Sequence, residues 1–342
     1  MDQMKAFAVF EALPANHPDC FVRVDRPVPE AKGRDLLVRV DAIAVNPTDV
    51  KDRNAVKGRL EDPLILGWDF CGTVVATGSD VGRFAVGDKV IAAGDVSRPG
   101  CYAEYVLVDE RITGHKPVGL TDEQAASLPL TTLAAWEALF EKLKIPEVRH
   151  GAQPALLIIG GAGGVGSMAI QFARQLSSCT VIATASRPHS RDWCLDLGAH
   201  HVIDHSGDLK KQLRDLGLDV VPYILNCSDN LPYWQLMSDL VAPEGAVCLL
   251  SSTKARLDLD LFMVKSASIH YQLMFTPSFF QTETMTRQGD ILDDLSALIG
   301  SGRIRHVLTR SFGPMDVSSL ARAHHEVEQG RMIGKAGLSR PN

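Results

Sequence analysis

The stretch "LLIIGGAGGVGSMAIQFARQL", residues 156–176, decides how the chain is read. Five of the seven residues at 160–166 are glycine. An aliphatic run precedes them and an apolar, helix-forming run follows. Gly161, Gly163 and Gly166 form G-x-G-x-x-G, and the flanks predict a strand before this loop and a helix after it, the context such a loop needs to hold a dinucleotide. In that reading Gly161 permits the tight turn, Gly163 lets a pyrophosphate approach the backbone, and Gly166 lets the helix pack on the strand. Ala162, Gly164 and Val165 complete the loop. Its free N–H groups at the helix start face the anion.

The next predicted strand ends in "ATASRPHS". An acid about 20 residues beyond the glycines would hold the ribose diol of NAD. No Asp or Glu occurs between Gly166 and Asp192; Ser186 and Arg187 stand there instead. A hydroxyl and a guanidinium suit a 2′-phosphate, because arginine pairs with phosphate through charge and fork geometry. The expected cofactor is NADPH.

Downstream, strands and helices alternate. Strands are predicted at 180–185, 201–204, 221–227 and 245–252, and helices at 190–198, 208–217 and 231–241, which implies a parallel sheet with helices on both faces. Upstream, the first ~125 residues read as β-rich, with alternating strands at 36–45, 72–78, 88–94 and 102–108. Thr121 is placed to cap a helix that Pro129 breaks, and a second helix runs through Trp136. A loop is expected at 144–155, helices at 290–299 and near 317–329. No repeat is visible.

The chain has 342 residues, 45% hydrophobic and 22% charged, with net charge −6. That is a globular composition with room for two domains. The absence of a Lys/Arg cluster argues against nucleic acid. The opening "MDQMKAFAVF" does not read as a secretory signal, and no apolar run approaches the ~20 residues of a membrane span. Seven cysteines without a C-x-x-C pair read as reduced thiols, so the expected compartment is the cytoplasm.

With the glycine loop, "AVNPTDVK" (44–51), "ILGWDFCGTV" (65–74), "LGAHHVIDH" (197–205) and "MFTPSFFQT" (274–282) the chain resembles the medium-chain dehydrogenase/reductase superfamily over nearly its whole length. It is most similar to the zinc-type alcohol dehydrogenase-like branch beside the quinone oxidoreductases. The resemblance implies an α/β protein: a GroES-like β-rich catalytic domain at 1–125 and 275–342, around a doubly wound parallel-sheet Rossmann domain at 126–274. Zinc-dependent relatives hold their metal with Cys, His and Cys, and the corresponding positions here look like Asn46, Trp68 and Leu130. None supplies a thiolate or imidazole, and only Cys101 lies where relatives have four structural cysteines. The expectation is no zinc. The clustered His200, His201 and His205 lack a thiol or third ligand, so they do not replace it.

Hydride transfer without a Lewis acid suits acceptors that are already electrophilic, such as quinones and α,β-unsaturated carbonyls. In the expected cleft, Asn46 and Thr48 offer an amide and a hydroxyl, and Lys51 offers a cation for the developing anion or a proton. Asp49 and Asp69 orient these groups, and Trp68 is placed to stack on a planar acceptor. The resemblance adds Thr131, Asn226, Ser228, Leu250, Ser251, Phe275, Thr276 and Lys335 on the cofactor side. Ala134 stands where relatives carry a Thr beside the nicotinamide. The expected function is a zinc-independent NADPH-dependent quinone or enone reductase. A non-catalytic NADPH-binding protein and a zinc alcohol dehydrogenase are the alternatives. A homodimer is expected, with the apolar strand at 268–275 as a pairing edge.

Overall fold

Residues 2–146 and 153–340 are described by the computed structural model. The part of the predicted loop at 147–152 lies outside the described residues. The chain divides into two units, Met1–Leu133 with Phe275–Asn342 and Ala134–Met274.

The first unit begins with β1 (Gln3–Val9), β2 (Val22–Pro27), β3 (Asp35–Val45), helix α1 (Pro47–Ala55), β4 (Leu64–Ile65), β5 (Asp69–Thr77), β6 (Lys89–Ala92), β7 (Tyr105–Asp109) and β8 (Thr113–His115). One small sheet has the order β2-β1-β4. In the larger sheet β3 is central. It pairs with β5 along one edge and with β7 at its start. The predicted strand at 102–108 begins only at Tyr105, because Tyr102 and Ala103 serve the other sheet: the Tyr102 carbonyl accepts the Phe7 N–H at 2.8 Å and Ala103 bridges Ala6.

Thr121 caps α2 (Asp122–Ala126): its hydroxyl accepts the Gln124 N–H at 3.2 Å, and the Gln124 side-chain oxygen Oε1 accepts the Thr121 N–H at 3.0 Å. Helix α3 (Pro129–Trp136) follows, and the division between units falls within it.

The second unit holds β9 (Ala155–Ile159), α4 (Gly164–Leu176), β10 (Thr180–Thr184), α5 (Pro188–Asp196), β11 (His201–Ile203), α6 (Leu209–Asp215), β12 (Val221–Asn226), α7 (Trp234–Leu240), β13 (Val241–Leu249), α8 (Asp260–Met263) and β14 (Ser268–Tyr271). All six strands are parallel, in the order β11-β10-β9-β12-β13-β14. The chain starts in the middle, winds outward one way, then returns and winds the other way. This is the doubly wound order, and ligands bind where it reverses, at the carboxyl ends of the central strands. β13 starts four residues earlier than expected, and the predicted helix at 231–241 opens as a 3-10 turn at Leu231–Tyr233 before α7.

The chain ends in the first unit with α9 (Thr276–Phe280), α10 (Thr286–Gly300), β15 (Leu308–Pro314), α11 (Val317–Glu328) and β16 (Lys335–Ser339). β16 pairs with the end of β3 on the edge that β7 occupies further up. One apolar cluster, including Phe7, Val38, Ile43, Phe70, Tyr102 and Leu338, unites both sheets with α11. Among the described residues no helix is long and apolar enough to cross a membrane.

The turn from β9 to α4 corrects one sequence expectation. The left-handed residue is Gly160, with φ at +80°, not Gly161. Gly161 is needed for space, since a Cβ there would lie 2.7 Å from the Ala183 Cβ on β10. At Gly166 a Cβ would lie 2.4 Å from the Gly160 carbonyl oxygen, but at Gly163 the nearest atom is 3.6 Å away. Gly166→Ala is therefore expected to destabilise the protein by about 1–3 kcal/mol, whereas Gly163→Ala should leave stability within a few tenths. Urea unfolding of the two variants checks this contrast.

Candidate functional site

In the second unit the glycine loop sits at the point where the strand order reverses. The Gly160 N–H donates to the Thr184 hydroxyl at 3.0 Å and the Gly161 N–H to the Thr184 carbonyl at 3.2 Å. The loop is thereby tied to the end of β10, where half-buried Ser186 and exposed Arg187 follow. The first bond of α4 runs from the Ser167 N–H to the Gly163 carbonyl at 2.8 Å. The N–H groups of Gly164, Val165 and Gly166 precede it and belong to the set that a helix leaves for outside partners. Gly163, Gly164 and Val165 are half-buried, while Gly161, Ala162 and Gly166 are buried. The fold itself explains Gly161 and Gly166. It does not require the missing side chain of Gly163, where a Cβ would meet nothing closer than 3.6 Å.

On the other side of β9, Asn226 ends β12. Its amide donates to the Asn230 side chain at 3.0 Å and accepts the Ser228 N–H at 3.1 Å, so it shapes the turn. Leu250 and Ser251 follow β13 and are half-buried.

In the first unit the sheet register assembles a buried polar cluster. Ala44 on β3 pairs with Asp69 on β5, and Val45 pairs with Ala336 on β16. Asn46, Asp69 and Lys335 are thus neighbours at the ends of adjacent strands. The Lys335 ammonium donates to Asp69 Oδ2 at 2.7 Å and to Asn46 Oδ1. Asn46 Nδ2 donates to Asp69 Oδ2 at 2.9 Å, and the Leu130 N–H donates to Asp69 Oδ1 at 2.7 Å. Relative exposures are 1% for Asn46, 0% for Asp69 and 3% for Lys335.

Helix α1 starts at this cluster. Pro47 occupies its first turn, and the Asp49 carboxylate accepts the Asn46 N–H at 2.7 Å. The same Asp49 oxygen accepts the Tyr102 hydroxyl at 3.2 Å, and that hydroxyl meets His324 Nε2 at 2.9 Å. Asp49 and Arg53 face inward, and Arg53 pairs with Glu328 at 3.0 Å. Thr48 is half-buried and Lys51 exposed, three residues apart on the other face. The Trp68 indole donates to Asp52 at 3.0 Å and meets Phe275 edge-on at 5.6 Å. Thr276 is exposed. The Thr131 hydroxyl is used on the Leu128 carbonyl at 3.0 Å.

The structure thus brings Asn46 and Lys335 together with Asp69, and leaves Thr48 and Lys51 as the outward groups of α1. Sequence reasoning missed Tyr102, Arg53 and the inward role of His324, which come from distant segments. The cap went unread, although N-P-T-D carries Pro and Asp at the right helix positions. Among the described residues no three His, Cys, Asp or Glu side chains are grouped to hold a metal ion.

Burial pushes the Asp49 carboxyl up to about 8, and its Oδ1 has no partner. Burial, assisted by the Arg53 guanidinium, drives His324 down to about 3. From pH 3.8 to about 8 the folded protein holds a proton on Asp49 that the unfolded chain has released, so stability falls as pH rises. His324 acts oppositely between about 3 and 6.5, where the unfolded chain binds the extra proton. The two oppose each other up to pH 6.5, and beyond it the Asp49 proton continues to lower stability up to about 8. The expected result is a fall in stability across that window, at most about 1.4 kcal/mol per pH unit. It should be smaller in Asp49→Asn. Denaturant unfolding at pH 6.5 and 8 measures it.

Comparison with known proteins accords with this geometry. Residues 32–118 match the alcohol dehydrogenase GroES-like domain, and residues 164–288 match the zinc-binding dehydrogenase family. A zinc-type alcohol dehydrogenase-like protein of Staphylococcus epidermidis is 34% identical, covering 97% of this chain and 98% of its own. A Rhizobium etli structure, provisionally named a zinc-dependent alcohol dehydrogenase, is 42% identical with a TM-score of 0.95, covering 100% of this chain and 99% of its own. The quinone oxidoreductase of Coxiella burnetii is 28% identical with a TM-score of 0.80, covering 99% of both chains. With such identity to the staphylococcal protein over nearly the whole of both chains, the protein belongs to the zinc-type alcohol dehydrogenase-like branch of the medium-chain dehydrogenase/reductase superfamily.

Proposed function

We propose that this oxidoreductase passes a hydride from NADPH to a quinone or an α,β-unsaturated carbonyl without zinc. The observation that carries the reading is the donor set at Asn46, Trp68 and Leu130. An amide, an indole and an alkyl chain do not fit zinc, which takes thiolate, imidazole or carboxylate ligands. The carboxylate beside them, Asp69, already accepts the Lys335 ammonium, Asn46 and the Leu130 N–H. The likeness to a quinone oxidoreductase points the same way.

The loop at Gly161–Gly166 would hold the pyrophosphate on the helix-start N–H groups. Ser186 and Arg187 would hold the 2′-phosphate at the end of β10. Asn226, Ser228, Leu250 and Ser251, at the ends of β12 and β13, complete the cofactor side of this unit. Thr131, Phe275 and Thr276 are assigned to the nicotinamide on family resemblance. The nicotinamide supplies a hydride to an acceptor whose charge spreads over a conjugated system. On α1, the Thr48 hydroxyl and Lys51 ammonium serve as donors to the acceptor oxygen, which steadies the developing anion. Asp49 fixes that helix through the Asn46 N–H, and Trp68 walls the acceptor. All seven cysteines are free thiols, in keeping with a reducing, cytoplasmic location.

The test is NADPH consumption against a panel of quinones, enones and simple aldehydes, with bound zinc measured on the same preparation. Turnover of the conjugated acceptors alone, in zinc-free protein, is expected. Arg187→Ala should raise KM for NADPH about 10-fold or more and leave KM for NADH unchanged. Binding of NADPH with no turnover of any acceptor favours a non-catalytic role, to which Ala134 already inclines.

We also propose a homodimer joined through β14, which ends the parallel sheet with Tyr271 exposed at its last position and Leu273 exposed just beyond it. Light scattering should give twice the chain mass, and Tyr271→Lys with Leu273→Lys should give the monomer.

A further inference from the structure

Asn46 cannot act both as an oxyanion donor and as it stands here. Its Oδ1 accepts from the Lys335 ammonium and its Nδ2 donates to Asp69 at 2.9 Å, with the Ala44 carbonyl at 3.5 Å. Both ends of the amide are used inside the protein. The group that bears positive charge at this place is Lys335. Its ammonium has three N–H donors, of which Asp69 and Asn46 take two. It is 3% exposed, against a carboxylate that is 0% exposed. A buried ion pair of this kind needs close geometry and further hydrogen bonds to offset desolvation, and Leu130 and Asn46 supply them on the Asp69 side.

We propose that the Lys335 ammonium is this protein's resident cation, held by Asp69 and Asn46 in the place that the family's name gives to zinc. It is a positioning residue: it fixes Asn46, and through the Asn46 N–H it fixes the start of α1, which presents Thr48 and Lys51. Because it is covalently attached, it cannot be exchanged, and an added divalent cation finds both oxygen ligands already taken. The part of this inference that concerns turnover rests on the reductase reading; the part that concerns cation occupancy does not.

Lys335→Ala removes three carbons and the ammonium nitrogen, which n-propylammonium restores. The variant should show a lowered thermal midpoint that recovers saturably with n-propylammonium. Tetramethylammonium, with the same charge and no N–H donor, should not restore it, and the wild type should respond to neither. Equal response to both salts, an unchanged midpoint in Lys335→Ala, or one equivalent of zinc in the wild type that is lost in Asp69→Asn would overturn the proposal.

If Lys335→Ala does not fold, the neutral pair Asp69→Asn with Lys335→Met keeps the shape and removes both charges. It should fold with a thermal midpoint near that of the wild type, yet lose kcat about 100-fold, a loss larger than any change in KM for NADPH. Unchanged kcat would show a purely structural pair and overturn the proposal. A wild type that reduces no acceptor removes the reductase reading instead; cation occupancy is then decided by the amine titration, or in its absence by whether the wild type holds zinc.

Discussion

A carboxylate with no exposure to water must be surrounded by donors, and Asp69 is the one on which the first unit is arranged. Its partners are the Leu130 N–H, the Asn46 amide and the Lys335 ammonium. They come from the start of α3, the end of β3 and the start of β16, which are remote in sequence. Removing one partner from such a buried pair typically costs about 3–5 kcal/mol, because it leaves the other charge unpaired. The cluster therefore ties the tail of the chain to its front, which the antiparallel pairing of β16 with β3 does along the backbone.

From that cluster the order spreads through one backbone group. The Asn46 N–H reaches Asp49, and Asp49 reaches the Tyr102 hydroxyl and then His324. Helix α1 is thus fixed on its inward face by groups that keep away from solvent, and its outward face is left for Thr48 and Lys51. A short polar helix would be marginal alone. Here tertiary contacts hold it, so its outward groups stand on a rigid support.

The sequence disclosed what is local. The glycine loop was legible because turn, helix start and flanking strands lie within about twenty residues and each follows a known period. The alternation of strands and helices gave the doubly wound sheet for the same reason. The polar cluster was not legible as a cluster. Asn46 and Lys335 were each singled out, but for other partners, since nothing local shows that a lysine in "IGKAGLS" turns inward onto Asp69 and Asn46. His324 and His325 are adjacent on α11, and only the packing of that helix distinguishes the buried one from the exposed His325. Gly160 differed from expectation because either of two adjacent glycines can take a left-handed turn; here Gly160 takes it, and Gly161 lacks a side chain because β10 comes close.

An ammonium and a metal ion differ in what they can do to a substrate. A metal accepts a lone pair and polarises a simple carbonyl directly. An ammonium offers only N–H donors and the field of a charge that Asp69 already partly neutralises. A site built around Lys335 would therefore give little help to an unactivated carbonyl. It would suffice where the acceptor disperses the incoming charge itself, as quinones and conjugated carbonyls do. The chemistry proposed for the protein and the cation proposed for its core thus impose the same restriction on the acceptor. The first follows from the residues at the metal-ligand positions, the second from hydrogen bonds among buried side chains.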